Sequence, residues 1–352
     1  MEKTGKILTL IIPSYNMEKY LDRCLSSLIV DKGKMALVEV LVINDGSKDR
    51  TSEIGHNYES RFPDTFHVID KENGHYGSCI NSGLVLARGK YVKVLDADDY
   101  FSPSFADFLS FLEEADAELV LSDSISQDGN GNELSRITFP LPSRQTMGID
   151  SLLKNGISHL NHFNITYRTH ILKEMEYHQT EGFSYTDLEW VSLPLCKVST
   201  VAYCPVILYC YLRGRVGQTV DISYRRNNMW MEDKVVLGLA GQYEVLKDSL
   251  PSDNAFLFKA LISSFIEQIY SHYLVNYPKD LRETDLVKFD ISLYRTSKEL
   301  YGPCSEAKDM RKFGTFYYIR DFRKKGTRKQ IKFIFYDICR AAGSLYGKIK
   351  KI

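Results

Sequence analysis

The first 122 residues alternate short runs of β-branched and aliphatic residues with amphipathic stretches, and this alternation constrains the fold more than any other feature. Such a pattern is typical of repeated strand, helix, strand units whose strands pair in parallel. The sequence therefore predicts an α/β fold with a Rossmann-like, mostly parallel sheet flanked by helices. The predicted strands are Leu8–Ile12, Val38–Ile43, Phe66–Ile69, Tyr91–Leu95 and Leu119–Leu121.

Helical spacing of apolar residues occupies the segments between these strands. Residues 21–28, 80–87 and 105–112 each place apolar side chains on one helix face. Ser102 and Pro103 precede the third helix as a predicted N-cap and first helical residue.

After residue 122 the alternation weakens. Residues 126–148 are rich in turn-forming residues, which predicts a loop-rich connection. From about residue 227 the pattern becomes helical. The remaining predictions are helices near 151–155, 171–175, 187–196 and 256–275, and strands at 163–167 and 201–211.

The net charge of +0 hides an asymmetry along the chain. Residues 304–352 hold 14 Lys and Arg against 4 Asp and Glu, so this segment carries +10 and the preceding residues carry −10. A basic tail on an acidic body suggests that the tail binds an anionic surface.

Cysteine spacing and hydropathy indicate a cytoplasmic protein. The seven cysteines are widely spaced, with no CxxC pair, so we expect buried thiols and neither a disulfide framework nor a zinc site. The longest apolar run, Cys204–Leu212, spans nine residues, whereas a membrane-crossing helix needs about 20. The N-terminal residues lack the pattern of a secretory signal.

Polar clusters follow the predicted strands, where open α/β sheets bind ligands. The first is PSYN at residues 13–16, which suits recognition of a flat heterocycle. The second is NDGS at residues 44–47, in which Asp45 is placed to accept from a base N–H or a ribose hydroxyl. The third is KENGHYGS at residues 71–78, which leads into a predicted helix start whose free N–H groups favour a phosphate.

The fourth cluster, LDADD at residues 95–99, carries three carboxylates within four residues after a buried strand. Such carboxylates repel one another unless a cation neutralises them. Oxygen ligands favour a hard ion, so Mg²⁺ or Mn²⁺ is expected here, with nucleotide phosphates completing its coordination.

These four motifs, in this order, resemble family 2 glycosyltransferases with the GT-A fold, such as those that build bacterial polysaccharides. The resemblance covers about residues 6–125 and continues more weakly to about residue 220. It implies a metal-dependent, inverting transfer of a sugar from a nucleoside diphosphate sugar, with Mn²⁺ or Mg²⁺ as cofactor. The motifs that carry it are IIPSYN, VINDGSKDRT, KENGHYGSCINSGLVLARGKY and VLDADDY, followed by GFSYTDLEW and YCYLRGRVGQTV.

The resemblance also implies roles for individual residues. Asp98 would bind the metal, and Asp99 would contact the sugar or support the site. Those it assigns to the nucleotide sugar are Pro13, Tyr15 and Asp45 at the base, usually uracil, His75 near the nucleotide, and Asp96 at the ribose or sugar.

An inverting displacement needs one carboxylate as general base for the acceptor hydroxyl. The resemblance assigns this role to Asp187, with Glu189 and Glu181 as alternatives. The segment LRGR resembles the flexible closing segment of the family, and its Arg213 is assigned to the donor diphosphate, with Arg215 as the alternative.

Three regions follow from this interpretation. Residues 1–125 form the nucleotide-sugar-binding half, residues 126–225 the acceptor and catalytic half, and residues 226–352 a helical region with a basic amphipathic tail. By the habit of the family, the expected acceptor is a saccharide or a lipid-linked saccharide in cell-surface polysaccharide synthesis. Alternative functions are a nucleotidyltransferase, which the PSYN motif disfavours, and a catalytically silent sugar-nucleotide-binding or scaffold protein.

The tail, residues 310–352, interleaves basic and aromatic residues. A basic amphipathic helix is typical of peripheral binding to an anionic membrane surface, here the inner face of the cell membrane. The alternative is a terminal helix that packs on the body with a solvated basic face. No nucleic-acid motif accompanies the charge, so no nucleic-acid partner is expected. The apolar face of the predicted helix is formed by Ile331, Ile334, Phe335, Ile338, Ala342 and Leu345.

Overall fold

The structure is a computed structural model that describes residues 5–215, 217–311 and 314–339. It divides into two compact units. The first comprises the chain up to Asp221 together with Leu250–Phe258, and the second comprises Ile222–Ser249 together with the chain from Lys259 onward.

The first unit is built on one ten-stranded sheet. In space the strands run β3-β2-β1-β4-β9-β6-β10-β5, with β7 beside β6 and β8 beside β10. In chain order, β1 to β10 are Leu8–Ser14, Val38–Asp45, Phe66–Lys71, Tyr91–Val94, Tyr100–Phe101, Leu119–Gln127, Glu133–Ile137, Thr146–Gly148, Ile165–Arg168 and Thr200–Leu212.

Most of the residue pairing in the sheet is parallel, as predicted, but the sheet also contains antiparallel strands. The neighbours β3, β2, β1 and β4 are parallel, as predicted, and so are β6 and β10. Strand β9 lies between β4 and β6 and is antiparallel to both. The order of elements along the chain does not reveal this insertion, because β9 is separated from both neighbours by tens of residues.

Eight helices accompany the sheet in the described part of the first unit. They are α1 Leu21–Ser26, α2 Lys32–Met35, α3 Thr51–Arg61, α4 His75–Leu86, α5 Phe105–Glu114, α6 Asp150–Lys154, α7 Thr169–Glu174 and α8 Asp187–Ser192. The apolar faces predicted for residues 21–28 and 105–112 lie in the main hydrophobic core, packed with side chains of β1 and β2. Burying each such Leu or Phe stabilises the fold by about 1.5–3 kcal/mol.

Two local predictions were wrong. Helix α5 begins at Phe105 with Ser104 as its N-cap. The Ser104 N–H donates to Ser102 Oγ (3.1 Å), and the Phe105 N–H donates to the Ser102 carbonyl (3.1 Å), so Pro103 lies in a turn before the helix. The loop predicted at 126–148 contains β7, which forms a hairpin with β6. Four of the five residues of β7 are exposed, so it lacks the alternation that marks a strand.

The second unit is mainly helical. A π-helical turn follows α10 at His272–Asn276, and a two-stranded hairpin pairs β11 with β12. No helix in the described parts of the chain is both long and apolar enough to cross a membrane. Its elements are α9 Ile222–Leu246, α10 Ser252–Ser271, which begins in the first unit, α11 Glu283–Thr296, α12 Lys298–Cys304, β11 Asp309–Arg311, β12 Gly314–Phe316, α13 Tyr318–Arg323 and α14 at residues 331–339.

Candidate active site

A cavity of about 260 Å³, called the main cavity below, lies where β1 and β4 end. These strands are parallel neighbours, so the segments that follow them meet at one edge of the sheet. The structure brings together here four residues that the sequence assigned to the site, Pro13, Asp96, Asp98 and Asp187. Others that line it are Met17, Tyr76, Ala97, His162, Phe163, Ser184, Tyr185, Tyr211, Arg215, Gln218, Thr219 and Val220.

The three carboxylates after β4 are close together but have different surroundings. Oxygen atoms of Asp96, Asp98 and Asp99 lie within 4.8 Å of one another. Asp99 is fully buried and accepts hydrogen bonds from the Tyr209 hydroxyl and the Leu212 N–H, each at 2.7 Å. Burial, together with the neighbouring Asp98 and Asp96 charges, raises its pKa well above the usual value. Asp99 therefore holds the end of β10, and it does not line the main cavity.

Asp96 is held by two side chains that sequence analysis did not identify. Its Oδ1 accepts from the Tyr76 hydroxyl (3.1 Å), and its Oδ2 lies 3.0 Å from His162 Nε2. Burial would raise the pKa of Asp96, but His162 and Tyr76 hold it below the usual value. Burial would likewise lower the pKa of His162, but the Asp96 and Asp187 carboxylates raise it above the usual value.

His162 also connects Asp96 with the predicted base. Its Nδ1 lies 3.8 Å from Asp187 Oδ2. The His162–Asn164 3₁₀ turn that carries this residue precedes β9, where the sequence predicted the start of a strand. One imidazole therefore faces both carboxylates across the cavity.

Buried polar groups fix this turn. Lys93 of β4 is fully buried, and its Nζ donates to the carbonyls of Phe163 (2.6 Å) and Ile165 (3.0 Å). Burial lowers the pKa of Lys93 to about 7. The Asn164 Nδ2 donates to the Ser122 carbonyl (2.7 Å), which ties the turn to β6.

The three candidate bases are distinguished by their partners. Asp187 is the first residue of α8, lines the main cavity and has 35% of its side chain exposed. Glu189 is 5% exposed and accepts from the N–H and Oγ1 of Thr180, both at 2.7 Å. Glu181 accepts from Asn81 (2.9 Å) and does not line the cavity. Asp187 alone of the three faces the cavity.

The segment before α8 is positioned by a close backbone approach. A β-carbon on Gly77 would lie 2.0 Å from the Thr180 carbonyl oxygen, so only glycine lets this segment lie against the start of α4. Tyr185 has a φ of 68°, in the left-handed region that bulky residues rarely adopt. Its hydroxyl donates to the Thr219 carbonyl (3.0 Å), which joins two segments that line the cavity.

The two arginines after β10 occupy different places. Arg215 lines the main cavity and its Nε forms an ion pair with Asp98 Oδ2. Arg213, which the sequence assigned to the donor diphosphate, lines a separate cavity of about 170 Å³ instead. The guanidinium at Asp98 is thus that of Arg215.

Of the expected base-binding residues, Tyr15 lines a more open cavity of about 490 Å³ together with residues from β2 and β3, whereas Pro13 lines the main cavity. Asp45 is 2% exposed, and its Oδ1 accepts from Lys71 Nζ (2.7 Å) and the Gly74 N–H (2.9 Å). His75, the first residue of α4, is exposed and lines neither this cavity nor the main one.

Comparison with known sequences finds a family match over part of the chain. Residues 9–176 match the sequence profile described as Glycosyl transferase family 2. These residues, a little under half of the chain, match glycosyltransferase family 2. This confirms the resemblance inferred from the motifs.

Curated relatives match part of this chain. The uncharacterized glycosyltransferase MG025 homolog of Mycoplasma pneumoniae is 38% identical over 97 residues, which are 27% of this chain and 32% of that protein. The minor teichoic acid biosynthesis protein GgaB of Bacillus subtilis is 32% identical over 112 residues, which are 32% of this chain and 12% of GgaB. The chain thus spans about a third or less of these two relatives.

A solved structure shares the fold. The crystal structure of S. aureus TarS residues 1–349 in complex with UDP-GlcNAc has a TM-score of 0.60 and 18% sequence identity, and the match covers 84% of this chain and 82% of that one. The predicted GT-A fold is confirmed by this likeness together with the family match.

Sequence analysis missed His162, Tyr76 and Lys93. His162 lies 66 residues from Asp96 in the chain, and no local motif marks it. Tyr76 lies within the quoted KENGHYGS motif, so its position after a strand was the one available signal.

Proposed function

We propose that this chain is an inverting glycosyltransferase that moves a sugar from a nucleoside diphosphate sugar to a hydroxyl group of a saccharide. The observation that carries the proposal is the main cavity, which Asp96, Asp98 and Asp187 line together. The match of residues 9–176 to family 2 supports the same class of reaction. TarS, which shares the fold, binds UDP-GlcNAc, so a UDP-sugar is the expected donor.

The acidic residues fit a hard divalent cation. They offer only oxygen ligands, and Asp98 and Asp96 both line the cavity. The Arg215 guanidinium at Asp98 indicates that this position attracts positive charge. Asp98 would hold Mn²⁺ or Mg²⁺, with Asp96 beside it. When bound, the cation would offset the negative charge of the donor diphosphate.

Asp187 supplies the base of the proposed reaction. Its carboxylate takes the proton of the acceptor hydroxyl while that oxygen bonds to the anomeric carbon. The bond from this carbon to the diphosphate breaks, its electron pair leaves with the nucleotide, and the configuration inverts. His162 Nδ1 lies 3.8 Å from Asp187 Oδ2, close enough for an electrostatic interaction with this carboxylate. A positioned base of this kind typically contributes 10²–10⁴-fold in rate.

Thermal unfolding with nucleotides tests the donor site. UDP, GDP and CDP are each added with Mn²⁺, Mg²⁺ or EDTA to the wild type, to Asp98→Asn and to Asp107→Asn, which makes the same change at an exposed position on α5. A ligand at 100 times its dissociation constant stabilises the fold by about 2.7 kcal/mol. We expect metal-dependent stabilisation by UDP in the wild type and Asp107→Asn, and its loss in Asp98→Asn.

Two results would contradict the proposal. If no nucleotide shifts the wild type with either metal, the donor site is absent. If UDP binds but no UDP-sugar is ever turned over, the chain is a silent sugar-nucleotide-binding or scaffold protein.

We further propose a lipid-linked saccharide as acceptor, in the synthesis of a cell-surface polymer, at the cytoplasmic face of the membrane. The name of GgaB, a teichoic acid biosynthesis protein, supports this class of acceptor. Such an acceptor requires that the enzyme approach a membrane surface.

Helix α14 of the second unit supports binding to an anionic bilayer. It buries Phe333, Tyr336 and Cys339 and exposes a different apolar stripe. Ala342 and Leu345 of the predicted face lie outside the described residues. Lysines at 324, 325, 329 and 332 are exposed on and just before the helix, and each contributes about 1 kcal/mol near anionic lipid. The exposed stripe is Ile331 (85% exposed), Ile334 (61%), Phe335 (50%) and Ile338 (60%).

Vesicle sedimentation tests the membrane proposal. The vesicles contain phosphatidylcholine alone or with 30 mol% phosphatidylglycerol, at physiological salt, where charges are screened beyond ~8 Å. They are mixed with the wild type, with a variant carrying serine at the four stripe positions, and with Val245→Ser. Val245 is 79% exposed on α9 and serves as control. We expect sedimentation of the wild type and the control with the anionic vesicles only. Equal sedimentation of the serine variant would contradict this role.

A further inference from the structure

A second cavity, of about 170 Å³, adjoins the main one in the first unit. Phe163 and Tyr211 line both cavities. Their rings are stacked, with centroids 4.7 Å apart and planes 25° from parallel. Because these two side chains line both cavities, a molecule bound in the second cavity would lie next to the main cavity, which Asp187 lines.

The lining of the second cavity suits a saccharide. Ser124, Ser126 and Ser135 of the β6–β7 hairpin contribute hydroxyl groups. The Ser126 and Ser135 hydroxyls are hydrogen-bonded to each other at 2.6 Å. Each hydroxyl can still form further hydrogen bonds, because it has one donor and two acceptor sites. The Phe163 and Tyr211 rings provide apolar area for the C–H groups of a sugar. The hydroxyl groups and the apolar lining, which also includes Ile125 and Ile137, offer the two kinds of surface that match a pyranose.

Arg213 gives the second cavity a positive charge. It is the one charged residue among those that line this cavity. Its backbone N–H donates to the Gln127 carbonyl at 2.8 Å, which holds the backbone beside β6, and the residue is exposed. In the part of the chain that the structure describes, Arg213 forms no ion pair. By contrast, Arg215 pairs with Asp98, and Arg136 pairs with Glu133.

We propose that the second cavity is an acceptor subsite for a saccharide that carries an anionic group, a phosphate or a carboxylate, which pairs with Arg213. A guanidinium presents a planar pair of donors that matches either anion. This inference rests on the proposed function, since it places the acceptor next to Asp187. It also reassigns Arg213 from the donor diphosphate to the acceptor.

Binding of three saccharide probes tests the proposal. N-acetylglucosamine 1-phosphate, glucuronic acid and neutral N-acetylglucosamine are titrated by ligand-observed NMR, with and without UDP and Mg²⁺. UDP and Mg²⁺ are added to fill the donor site, so that the sugar phosphate cannot bind there. The proteins are the wild type, Arg213→Gln and Arg136→Gln, the last a matched change on β7, outside the cavity.

We expect the wild type to bind at least one charged saccharide about 10-fold more tightly than the neutral one, as a single charge-assisted pair allows. Arg213→Gln should abolish the preference, and Arg136→Gln should keep it. Whether the phosphate or the carboxylate is preferred identifies the anion.

Two results would overturn the inference. One is equal binding of charged and neutral saccharides by the wild type. The other is a weakening of UDP binding in Arg213→Gln, which would return this residue to the donor. If the proposed function itself is wrong, the result is different: UDP does not bind the wild type. The saccharide titrations without nucleotide then still show whether Arg213 binds the anionic group.

Discussion

Residues 8–127 and residues 128–221 build one sheet and one cavity, but they contribute to the site in different ways. In the first region the site residues directly follow buried strands, as Asp96 follows β4. In the second they lie on short or irregular segments. His162 lies on a 3₁₀ turn, Asp187 begins a six-residue helix and Arg215 follows the last strand. The turn that carries His162 is held by buried polar groups of β4 and β6.

We predict that the first region binds the donor and that the second region supplies the base for the transfer. Asp187→Asn should therefore reduce turnover of the UDP-sugar by about 10²–10⁴-fold, because the acceptor proton loses its base. Donor binding should remain, since the donor carboxylates are unchanged. Steady-state release of UDP measures the first quantity and calorimetry the second.

Glu181→Gln is the control for this variant, since Glu181 lies a few residues away and outside the cavity. Its turnover should equal that of the wild type. If Glu181→Gln reduced turnover as strongly as Asp187→Asn, the assignment of the base would be wrong.

Lys93 lies in the first region and donates hydrogen bonds to the turn of the second region that carries His162. Because burial lowers its pKa to about 7 in the folded state, the unfolded chain binds the proton more readily between about pH 7 and 10.4. The contribution of Lys93 to the free energy of unfolding should therefore rise with pH over this range, by a few kcal/mol in total.

Urea unfolding of the wild type and Lys93→Met at pH 7, 8 and 9 measures this contribution. The stability of the wild type relative to the variant should increase with pH, because the variant lacks the titrating group. A difference that is constant across the three pH values would show that Lys93 has an ordinary pKa.

Glu189 lies on α8 like Asp187, but we expect its carboxylate to stabilise the fold and not to take part in the reaction. Glu189→Gln weakens the two hydrogen bonds that its carboxylate accepts from Thr180. We expect a loss of about 1–3 kcal/mol in the free energy of unfolding, measured with urea, and turnover close to that of the wild type below the unfolding temperature. A loss of turnover comparable with that of Asp187→Asn would instead make Glu189 a member of the reacting group.

The first region could largely be predicted from sequence, because periodicity and strand-end motifs are local. The strands at β1, β2 and β3, the helix faces of α1 and α5, and the placement of Asp96 and Asp98 all follow from neighbours in the chain. The exceptions there are local too, such as the two-residue error at Pro103.

The second region could be predicted only in part. Asp187 was found through its motif, but the partner of Asp96 was not, because His162 reaches it through a turn held by Lys93 from β4. Arg213 and Arg215 differ by two positions, and only the path of the chain after β10 decides which of them meets Asp98. The exposed strand β7 gave no hydrophobic signal at all.

The most direct test of the account is a crystal structure of the protein with UDP and Mn²⁺, in which anomalous scattering locates the metal. The account predicts Mn²⁺ on the Asp98 carboxylate, the UDP diphosphate on the metal, and Asp187 facing the same cavity. A metal or nucleotide bound elsewhere, with Asp98 still paired to Arg215, would contradict it.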